Sequence, residues 1–302
     1  MAPTLVKYVG SKAGFLEDHA GLLPMPAPGG AVAVAFAGGG PIAAHYRARG
    51  CRVVASDVNP RLVHAHVQVR DDVEAVIDAL GNLATALRLA DHGGEDELAG
   101  RAFFEEVRGR LDGYAEDLRA ARFLFVLRAG FNGIYRENQA GECNTPWGDP
   151  LNVDKSGQRQ HVRGRDIVQA DDLRAIATLL ARAEIRLGDF EETTADARRG
   201  DVLFADAPYA GEPGKKAAFV GYSKGGFTLR DRQRLAAWLR MLDARGVRFA
   251  STDAAHAVTT YGLWRVEPVM VRRSGSCKAE GRGEAREIIV TNFCPRKEEV
   301  AA

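Results

Sequence analysis

The chain has 302 residues, 46% of them hydrophobic and 27% charged, which is enough to bury a large core in one or two domains. Lys and Arg number 41 against 40 Asp and Glu, so the formal net charge of +1 excludes a global field that attracts a polyanion, and any nucleic-acid surface must be local. The four cysteines form no Cys-x-x-Cys pair and no apolar run could span a membrane, which argues against a zinc site, a disulfide framework and a membrane anchor and favours a reducing cytoplasm.

Short apolar runs predict strands, and helical patterns lie between them. The runs are AVAVAFAGGG, RVVASD, DVLFADAP and the weaker RFAST, and the first, closed by glycines, is typical of a strand buried on both faces of a parallel sheet. The predicted helices are PIAAHYRARG, ADDLRAIATLLARA and LRDRQRLAAWLRMLDARG. The last has Thr228 as its expected N-cap and Gly246 as its expected stop. Alternation of strand and helix on this scale predicts an α/β fold.

Residues 67–164 interrupt this alternation. Two amphipathic helical stretches, residues 71–91 and 100–130, precede a segment rich in Gly, Asn and Pro, FNGIYRENQAGECNTPWGDPLN. We therefore expect an inserted, mainly helical subdomain with an exposed loop or hairpin. The flanking segments, residues 1–66 and 165–302, would form the two parts of one α/β domain.

A glycine-rich turn and an acid suggest a nucleotide-type crevice. Gly38, Gly39 and Gly40 separate the first predicted strand from a helix, and Asp57 ends the next strand. Glycines let the backbone approach a ligand closely, and an acid at that position accepts hydrogen bonds from ribose hydroxyls. The pattern is neither GxGxxG nor a P-loop, so a tight structural turn beside a solvated Asp stays open as an alternative.

The stretch DAPY follows the third predicted strand. An exocyclic amine is a poor nucleophile because its lone pair is delocalised into the ring, and two acceptors correct this. If the Asp206 carboxylate and the Ala207 carbonyl each accept one N–H, the lone pair can point at a sulfonium methyl. Pro208 would stiffen the turn, and Tyr209 would offer a face for stacking. The alternatives are an N-cap Asp and a Tyr at the edge of the core.

These residues carry a resemblance to a known family. AFAGGG, ASDVNP and DAPY resemble the F-x-G-G-G, S-D-x-N and D-P-P-Y motifs of the Dam-type (D12-class) DNA adenine-N6 methyltransferases, which use S-adenosylmethionine. KYVGSK, FNGIYREN…GECNTPWG, GYSKGGFTLRDRQRLA and the tail VRRSGSCKAEGRGEAREIIVTN are similar to further motifs of that family, in its order. The resemblance covers residues 7–292 and implies a prokaryotic or phage-encoded enzyme.

The resemblance implies a Rossmann-like S-adenosylmethionine-dependent methyltransferase sheet with an inserted target-recognition subdomain that carries a hairpin. It implies a cofactor site lined by Tyr8, Gly10, Lys12, Phe36, Gly38, Gly39, Gly40, Asp57, Asp189, Phe190 and Asp206. Within it, Lys12 would lie at the methionine end, Asp57 at the ribose, and Asp189 and Phe190 at the adenine. Residues 206–209 would hold the flipped target base. No metal is implied.

Double-stranded DNA is the expected partner. We expect the protein to act as a monomer and not to bind a membrane. The hairpin around Arg136, Asn144 and Pro146 would meet it, since a guanidinium can bond guanine bidentately. An ion pair of Arg136 with Glu137 or Glu142 is the alternative. Basic clusters beside Gly, Ser and Gln favour phosphate contacts by Arg159, Arg163, Arg272 and Arg273, although such clusters are often only solvated faces.

Two departures from the family pattern bear on activity. Ala207 replaces the first Pro of its motif, which keeps the backbone carbonyl but no longer locks φ, so we expect reduced rather than abolished activity. Ser11 replaces a glycine of the opening motif. Four other functions remain open from the residues: methylation of cytosine N4 in DNA, methylation of adenine in RNA, methylation of a glutamine amide, and DNA binding by a catalytically weakened relative.

Overall fold

The structure is a computed structural model, which describes residues 4–6, 12–91, 96–112, 116–133, 135–138, 140–148, 151–153, 159–161, 167–210, 226–273 and 283–294. The strands are β1 (Ala31–Ala35), β2 (Arg52–Asp57), β3 (Leu151–Val153), β4 (Arg159–His161), β5 (Glu184–Leu187), β6 (Val202–Asp206), β7 (Arg248–Ala254), β8 (Arg265–Arg273) and β9 (Gly283–Thr291). The α-helices are α1 (Ala13–His19), α2 (Pro41–Ala48), α3 (Pro60–Asp71), α4 (Val73–Ala90), α5 (Glu97–Gly109), α6 (Glu116–Ala129), α7 (Ala170–Leu180), α8 (Phe190–Thr193) and α9 (Leu229–Ala244). Short 3₁₀ helices span Ala20–Leu22, Phe131–Gly133 and Ala255–Tyr261.

A seven-stranded sheet with the order β5-β2-β1-β6-β7-β9-β8 organises the molecule. The first five of these strands are parallel, whereas β9 runs antiparallel to both β7 and β8. The chain leaves β1 towards β2 and later returns to its other side with β6, which makes the carboxyl ends of these strands a topological switch point. Open α/β sheets bind ligands at such a point. The mixed α/β, mostly parallel sheet is consistent with the expected Rossmann-like methyltransferase fold.

Alternate residues of the strands feed two apolar layers. On β1, Val32 and Val34 pack into the layer that contains α1 to α7, and Ala33 and Ala35 pack into the layer on the opposite face with α9. Every one of these four side chains is buried. Burial on both faces explains why β1, β2 and β6 are largely continuous apolar runs.

All four predicted strands and all three predicted helices are present. Thr228 caps α9 through a reciprocal capping box with Asp231, and Gly246 follows the helix with a φ of 80°. Two details of the helical block differ from expectation. Helix α3 crosses the expected boundary at residue 67, because its N-cap Asn59 and Pro60 begin a helix directly after β2. Residues 100–130 belong to two helices, α5 and α6, since α5 ends at Gly109.

Helices α4, α5 and α6 pack against one another, and α4 and α6 also pack onto α3. Their buried residues, among them Leu80, Phe104 and Phe125, belong to the same apolar cluster as one face of the sheet. The division of the chain into domains stays a prediction. Among the helices that the structure describes, none combines the length and apolar composition needed to cross a membrane.

The expected hairpin follows α6. Antiparallel bridges join Gly130 to Trp147 and Glu137 to Cys143. Between them, the Asn144 amide donates to the Arg136 carbonyl at 2.9 Å. The segment from residue 130 to residue 148, here called the recognition hairpin, is therefore a paired element at its described residues. Strands β3 and β4 form a second antiparallel pair directly after it.

Candidate active site

The glycine turn (residues 38–40) follows β1, which pairs with β2. The turn is also hydrogen-bonded to the side chain of Asp57 at the end of β2. The Gly38 amide donates to Oδ2 of Asp57 at 3.0 Å, and the Asn59 amide donates to Oδ1 at 3.0 Å. Burial raises the pKa of Asp57, and these backbone donors oppose that rise. The predicted pair of glycine turn and acid is therefore brought together at the carboxyl edge of the sheet.

The conformation of the glycine turn explains its composition. Gly38 and Gly40 have φ values of 51° and 84°, which only glycine adopts without strain. Phe36, directly after β1, has a φ of 58°, and a non-glycine residue in this left-handed region is a feature that clusters at ligand sites. A Cβ on Gly40 would lie 3.0 Å from Cε1 of His66, so the turn has no room for a side chain there.

His66 supports the glycine turn from α3. Its Nε2 lies 2.8 Å from the Gly38 carbonyl, so this nitrogen carries the donated proton in the neutral ring. Burial lowers the pKa of His66, although the hydrogen bond to Gly38 acts in the opposite direction. The sequence suggested no role for His66, because its spacing from the other histidines shows no metal pattern.

Asp189 and Phe190 begin α8 after β5, at the same edge of the sheet. Oδ1 of Asp189 accepts from the Glu191 amide at 3.1 Å and from Arg234 at 2.9 Å. The Arg234 guanidinium lies 5.1 Å from the centre of the Phe190 ring, and the centres of the Phe190 and Phe36 rings are 5.4 Å apart. Phe190 is thus a buried ring beneath a cation, next to the residue that opens the glycine turn.

The DAPY turn (residues 206–209) follows β6 and lies beside the glycine turn, because β6 pairs with β1. Oδ1 of Asp206 accepts from Oγ1 of Thr252 at 2.6 Å and lies 2.7 Å from Nζ of Lys12. The same ammonium lies 3.2 Å from the Tyr209 hydroxyl and 3.5 Å from Oε2 of Glu287. The Tyr209 hydroxyl in turn donates to Glu287. Lys12 therefore contacts the motif that is expected to hold the target base.

Burial is the largest single influence on the pKa of Asp206, of Lys12 and of Tyr209. It raises the pKa of Asp206, with Lys12 and Thr252 opposing the rise. Burial alone would lower the pKa of Lys12, but the carboxylates of Asp206 and Glu287 outweigh it and raise that pKa. Burial also raises the pKa of Tyr209 well above its ordinary value, so the phenol is a hydrogen-bond donor at neutral pH.

A buried ion pair holds the far side of the DAPY turn. Arg232 on α9 donates to the Ala210 carbonyl at 2.9 Å and pairs with Asp253 at 2.9 Å. The Tyr261 hydroxyl donates a hydrogen bond to Oδ2 of Asp253 at 2.9 Å. Because an unpaired buried charge is costly, this arrangement fixes the segment that follows Tyr209.

The recognition hairpin is connected to the start of α3. One nitrogen of Arg61 donates to the Tyr135 hydroxyl at 2.5 Å and to Glu137 at 3.0 Å. Glu142 accepts from the side chain of Asn138 at 2.8 Å. Glu137 and Glu142, the two carboxylates suggested by the sequence as ion-pair partners of Arg136, therefore each contact another side chain.

The remaining predicted residues fall into two groups. Tyr8, Gly10 and Arg163 lie outside the described residues. Arg159 lies on β4, Arg272 and Arg273 on β8, and Asn144 and Pro146 in the recognition hairpin. The described residues contain no group of three His, Cys, Asp or Glu side chains placed to hold a metal ion.

Sequence reasoning from single motifs missed Thr252, Glu287 and Arg232. Glu287 carried a signal, since it is a lone acid in the apolar strand sequence EIIVT, and a charge at a core-facing strand position needs a reason. Arg232 gave none, because it looks like any other arginine in the charged pattern of α9. Thr252 gave none either, because its partner is set by the register of β7 against β6.

Comparison with known proteins agrees with this geometry. Residues 8–262 match the model of the family described as D12 class N6 adenine-specific DNA methyltransferase. The chain is 28% identical to the type II methyltransferase M1.LlaDCHI of Lactococcus lactis subsp. cremoris, over 85% of this chain and 84% of that one. It is 30% identical to the DNA N-6-adenine-methyltransferase of Escherichia phage P1, over 95% of this chain and 35% of that one.

A third relative, the retron Ec67 DNA adenine methylase of Escherichia coli, is 25% identical over 96% of this chain and 91% of its own length. The family match spans most of the chain and includes the glycine turn, Asp57, the recognition hairpin and the DAPY turn. The protein therefore belongs to the D12 class of N6 adenine-specific DNA methyltransferases, enzymes that methylate adenine in DNA.

Proposed function

We propose that this enzyme moves a methyl group from S-adenosylmethionine to the N6 amine of an adenine flipped out of double-stranded DNA, acting as a monomer without a metal. Asp206 and the Ala207 carbonyl would hold the amine, and Tyr209 would stack on the base. The observation that carries the proposal is the position of Asp206, at the carboxyl end of β6 and next to the glycine turn that follows β1.

The residues of the crevice fit the cofactor. The Asp57 carboxylate accepts the backbone amides of Gly38 and Asn59, with Val58 as a further backbone donor. Its two oxygens have about four acceptor sites, which leaves capacity for a ribose hydroxyl. The turn at Gly38 and Gly40 allows close backbone approach, since it has no side chain to interpose. Phe36 and Phe190 offer apolar surface, and Asp189 an acceptor, for an adenine ring. The bound cofactor would supply an electrophilic methyl group on a sulfonium and leave as the thioether S-adenosylhomocysteine, and the methylated amine would lose one proton to solvent.

Asp206 must be ionised to accept a hydrogen bond from the amine through either of its oxygens. Its raised pKa works against this, and the ammonium of Lys12 at 2.7 Å restores the charged form. The carboxylate and the Ala207 carbonyl together would draw the amine nitrogen towards sp³ geometry. The contribution is preorganised electrostatics and orientation, rather than proton transfer.

Access to the amine requires extrusion of the base from the duplex. Unstacking costs a few kcal/mol, which contacts to the flipped base and the DNA backbone offset. Tyr209 provides the ring against which a base stacks. We assign reading of a base edge to Arg136 in the recognition hairpin, with Asn144 and Pro146 beside it, and phosphate contacts to Arg159, Arg163, Arg272 and Arg273.

Mass spectrometry of DNA tests the proposal. Purified enzyme is incubated with unmethylated plasmid and S-adenosylmethionine carrying a labelled methyl group, and the DNA is digested to nucleosides. We expect label in N6-methyladenine. Label in N4-methylcytosine would contradict the proposed acceptor, and cofactor and DNA binding without label transfer would identify a catalytically weakened DNA-binding relative.

A further inference from the structure

Two buried polar residues flank the DAPY turn from neighbouring strands. Thr252 lies on β7 opposite Asp206 of β6, and Glu287 lies on β9 opposite Ala254 of β7. Their side chains are almost completely buried, at 1% and 4% exposure. A buried hydroxyl or carboxylate is stable only if it is hydrogen-bonded, and each of the two residues makes a hydrogen bond to the DAPY turn.

Thr252 and Lys12 bind the same oxygen of Asp206. The hydroxyl donates to Oδ1 at 2.6 Å, and the ammonium lies 2.7 Å from Oδ1, which leaves Oδ2 outside both contacts. Donors from two sides restrict rotation of the carboxylate. Asp206 keeps 19% of its side chain exposed, and we assign the incoming amine to Oδ2 because Thr252 and Lys12 both contact Oδ1.

Glu287 acts on the other end of the turn. It accepts from the Tyr209 hydroxyl and lies 3.5 Å from Nζ of Lys12. The phenol is thereby fixed at its tip, which restricts the swing of the ring. Glu287 also holds the ammonium close to Tyr209, since Nζ lies 5.4 Å from the centre of that ring.

We propose that Thr252 and Glu287 are positioning residues for methyl transfer: Thr252 fixes Asp206 with Oδ2 turned towards the target amine, and Glu287 fixes the Tyr209 ring and the Lys12 ammonium. Neither residue touches the base or the cofactor in this scheme. The inference rests on the proposed function, because it assigns the amine to Asp206 and the base to Tyr209.

The two residues act on Asp206 with opposite sign. The hydrogen bond from Thr252 lowers the pKa of Asp206, whereas the negative charge of Glu287 raises it. Lys12 is the other charged group that faces Asp206, and Tyr209, whose own surroundings include Asp253, is a neutral donor beside it. Replacing Thr252 or Glu287 should therefore move the acidic limb of the rate profile in opposite directions.

The experiment for Thr252 compares Thr252→Val with Thr252→Ser. Valine keeps the shape and removes the donor, so we expect the single-turnover rate constant for methylation of unmethylated plasmid to fall by up to about a hundredfold, with cofactor affinity unchanged. The acidic limb of the pH–rate profile should move to higher pH. Serine keeps the donor and should restore both the rate constant and the acidic limb. A wild-type rate constant and pH–rate profile in the valine variant would overturn the role of Thr252.

The experiment for Glu287 uses Glu287→Gln, which keeps the size and an acceptor for the Tyr209 hydroxyl but removes the charge. We expect a lower kcat together with a shift of the acidic limb to lower pH. A loss of thermal stability with the limb unmoved would show a merely structural residue and overturn the role of Glu287.

Asp206→Asn measured alongside separates this inference from the function on which it rests. A dead Asp206→Asn with an unaffected Thr252→Val refutes only the positioning role. Full activity in Asp206→Asn refutes the proposed function itself.

Discussion

Lys12 lies between two buried carboxylates, with Nζ at 2.7 Å from Asp206 and 3.5 Å from Glu287. When both acids are ionised, these three side chains together carry a formal charge of −1. Burial of negative charge is unfavourable, and an amine that donates hydrogen bonds to Asp206 would lower that cost. The cluster is thus prepared for a hydrogen-bond donor rather than for another acceptor.

Lys12→Met tests this electrostatic role. The Lys12 charge lowers the pKa of Asp206, so its loss lets that pKa rise further. The ionised fraction of Asp206 then falls at a given pH, and we expect the acidic limb of the pH–rate profile to move to higher pH. Single-turnover methylation measured over a range of pH values gives this profile. An unmoved limb accompanied by weaker S-adenosylmethionine binding would instead place Lys12 at the cofactor alone.

At the scale of single residues, the sequence was informative where a short motif carries the chemistry. The glycine turn, Asp57 and the DAPY turn are each contiguous or end a recognisable strand, so their meeting at one sheet edge could be predicted. Thr252 and Glu287 could not be assigned in this way, because their contacts depend on which strands neighbour β6 and in which register.

At the scale of elements, α3 connects the glycine turn and Asp57 with the recognition hairpin. Its N-cap Asn59 follows Asp57 closely, Arg61 in its first turn contacts the recognition hairpin, and His66 two turns on supports the glycine turn. One helix therefore touches three of the parts that the proposed reaction uses. The sequence analysis missed this helix as a separate element, because its apolar residues are interrupted by His64 and His66 in the middle of the pattern.

His66 predicts a pH dependence of stability. Its pKa is lowered in the folded protein from an ordinary value of 6.5, so below about pH 6.5 the unfolded chain binds a proton that the folded chain does not. Stability should therefore fall as the pH drops below this value, by at most about 1.4 kcal/mol per pH unit for this one group.

Urea unfolding at about pH 7.5 and about pH 5.5 measures the effect. His66→Gln keeps a donor for the Gly38 carbonyl and cannot titrate, so we expect its stability to change less between the two values than that of the wild type. Equal changes in both proteins would show that His66 does not contribute to the pH dependence.

The recognition hairpin predicts a change in sequence choice. If Arg136 bonds a guanine bidentately, Arg136→Ala should cost about 1–3 kcal/mol and relax the preference at one base pair. Arg136→Lys keeps the charge but not the fork of donors, and should relax the same position. Sequencing of methylated positions in plasmid DNA gives the preference. A uniform loss across all sites in Arg136→Ala would identify a phosphate contact.

At the scale of the whole molecule, the parallel half of the sheet could be predicted and the antiparallel edge could not. Strands β1, β2 and β6 are buried, largely apolar runs, a pattern typical of parallel strands. Strand β7 is a weaker copy, because it also carries the buried polar residues Ser251, Thr252 and Asp253. Strand β8 carries Arg265, Glu267, Arg272 and Arg273, so it has no such pattern. It is stabilised as the outer strand by pairing along its length with β9, a contact that only the tertiary fold provides.

The net charge of +1 also belongs to this scale. Without an overall positive field, attraction to DNA has to come from local groups of arginines. The expected arginines come from separate parts of the chain, the recognition hairpin, β4 and β8. Binding by dispersed phosphate contacts would orient the duplex and leave sequence choice to a few side chains.

The central claim is that the Asp206 carboxylate, with the Ala207 carbonyl, holds the amine that receives the methyl group. Single-turnover methylation by Asp206→Asn, compared with its affinity for S-adenosylmethionine, tests it most directly. We predict a fall in the methylation rate of at least about a hundredfold, with cofactor affinity within a few-fold of wild type. A variant that methylates adenine at the wild-type rate would contradict the claim.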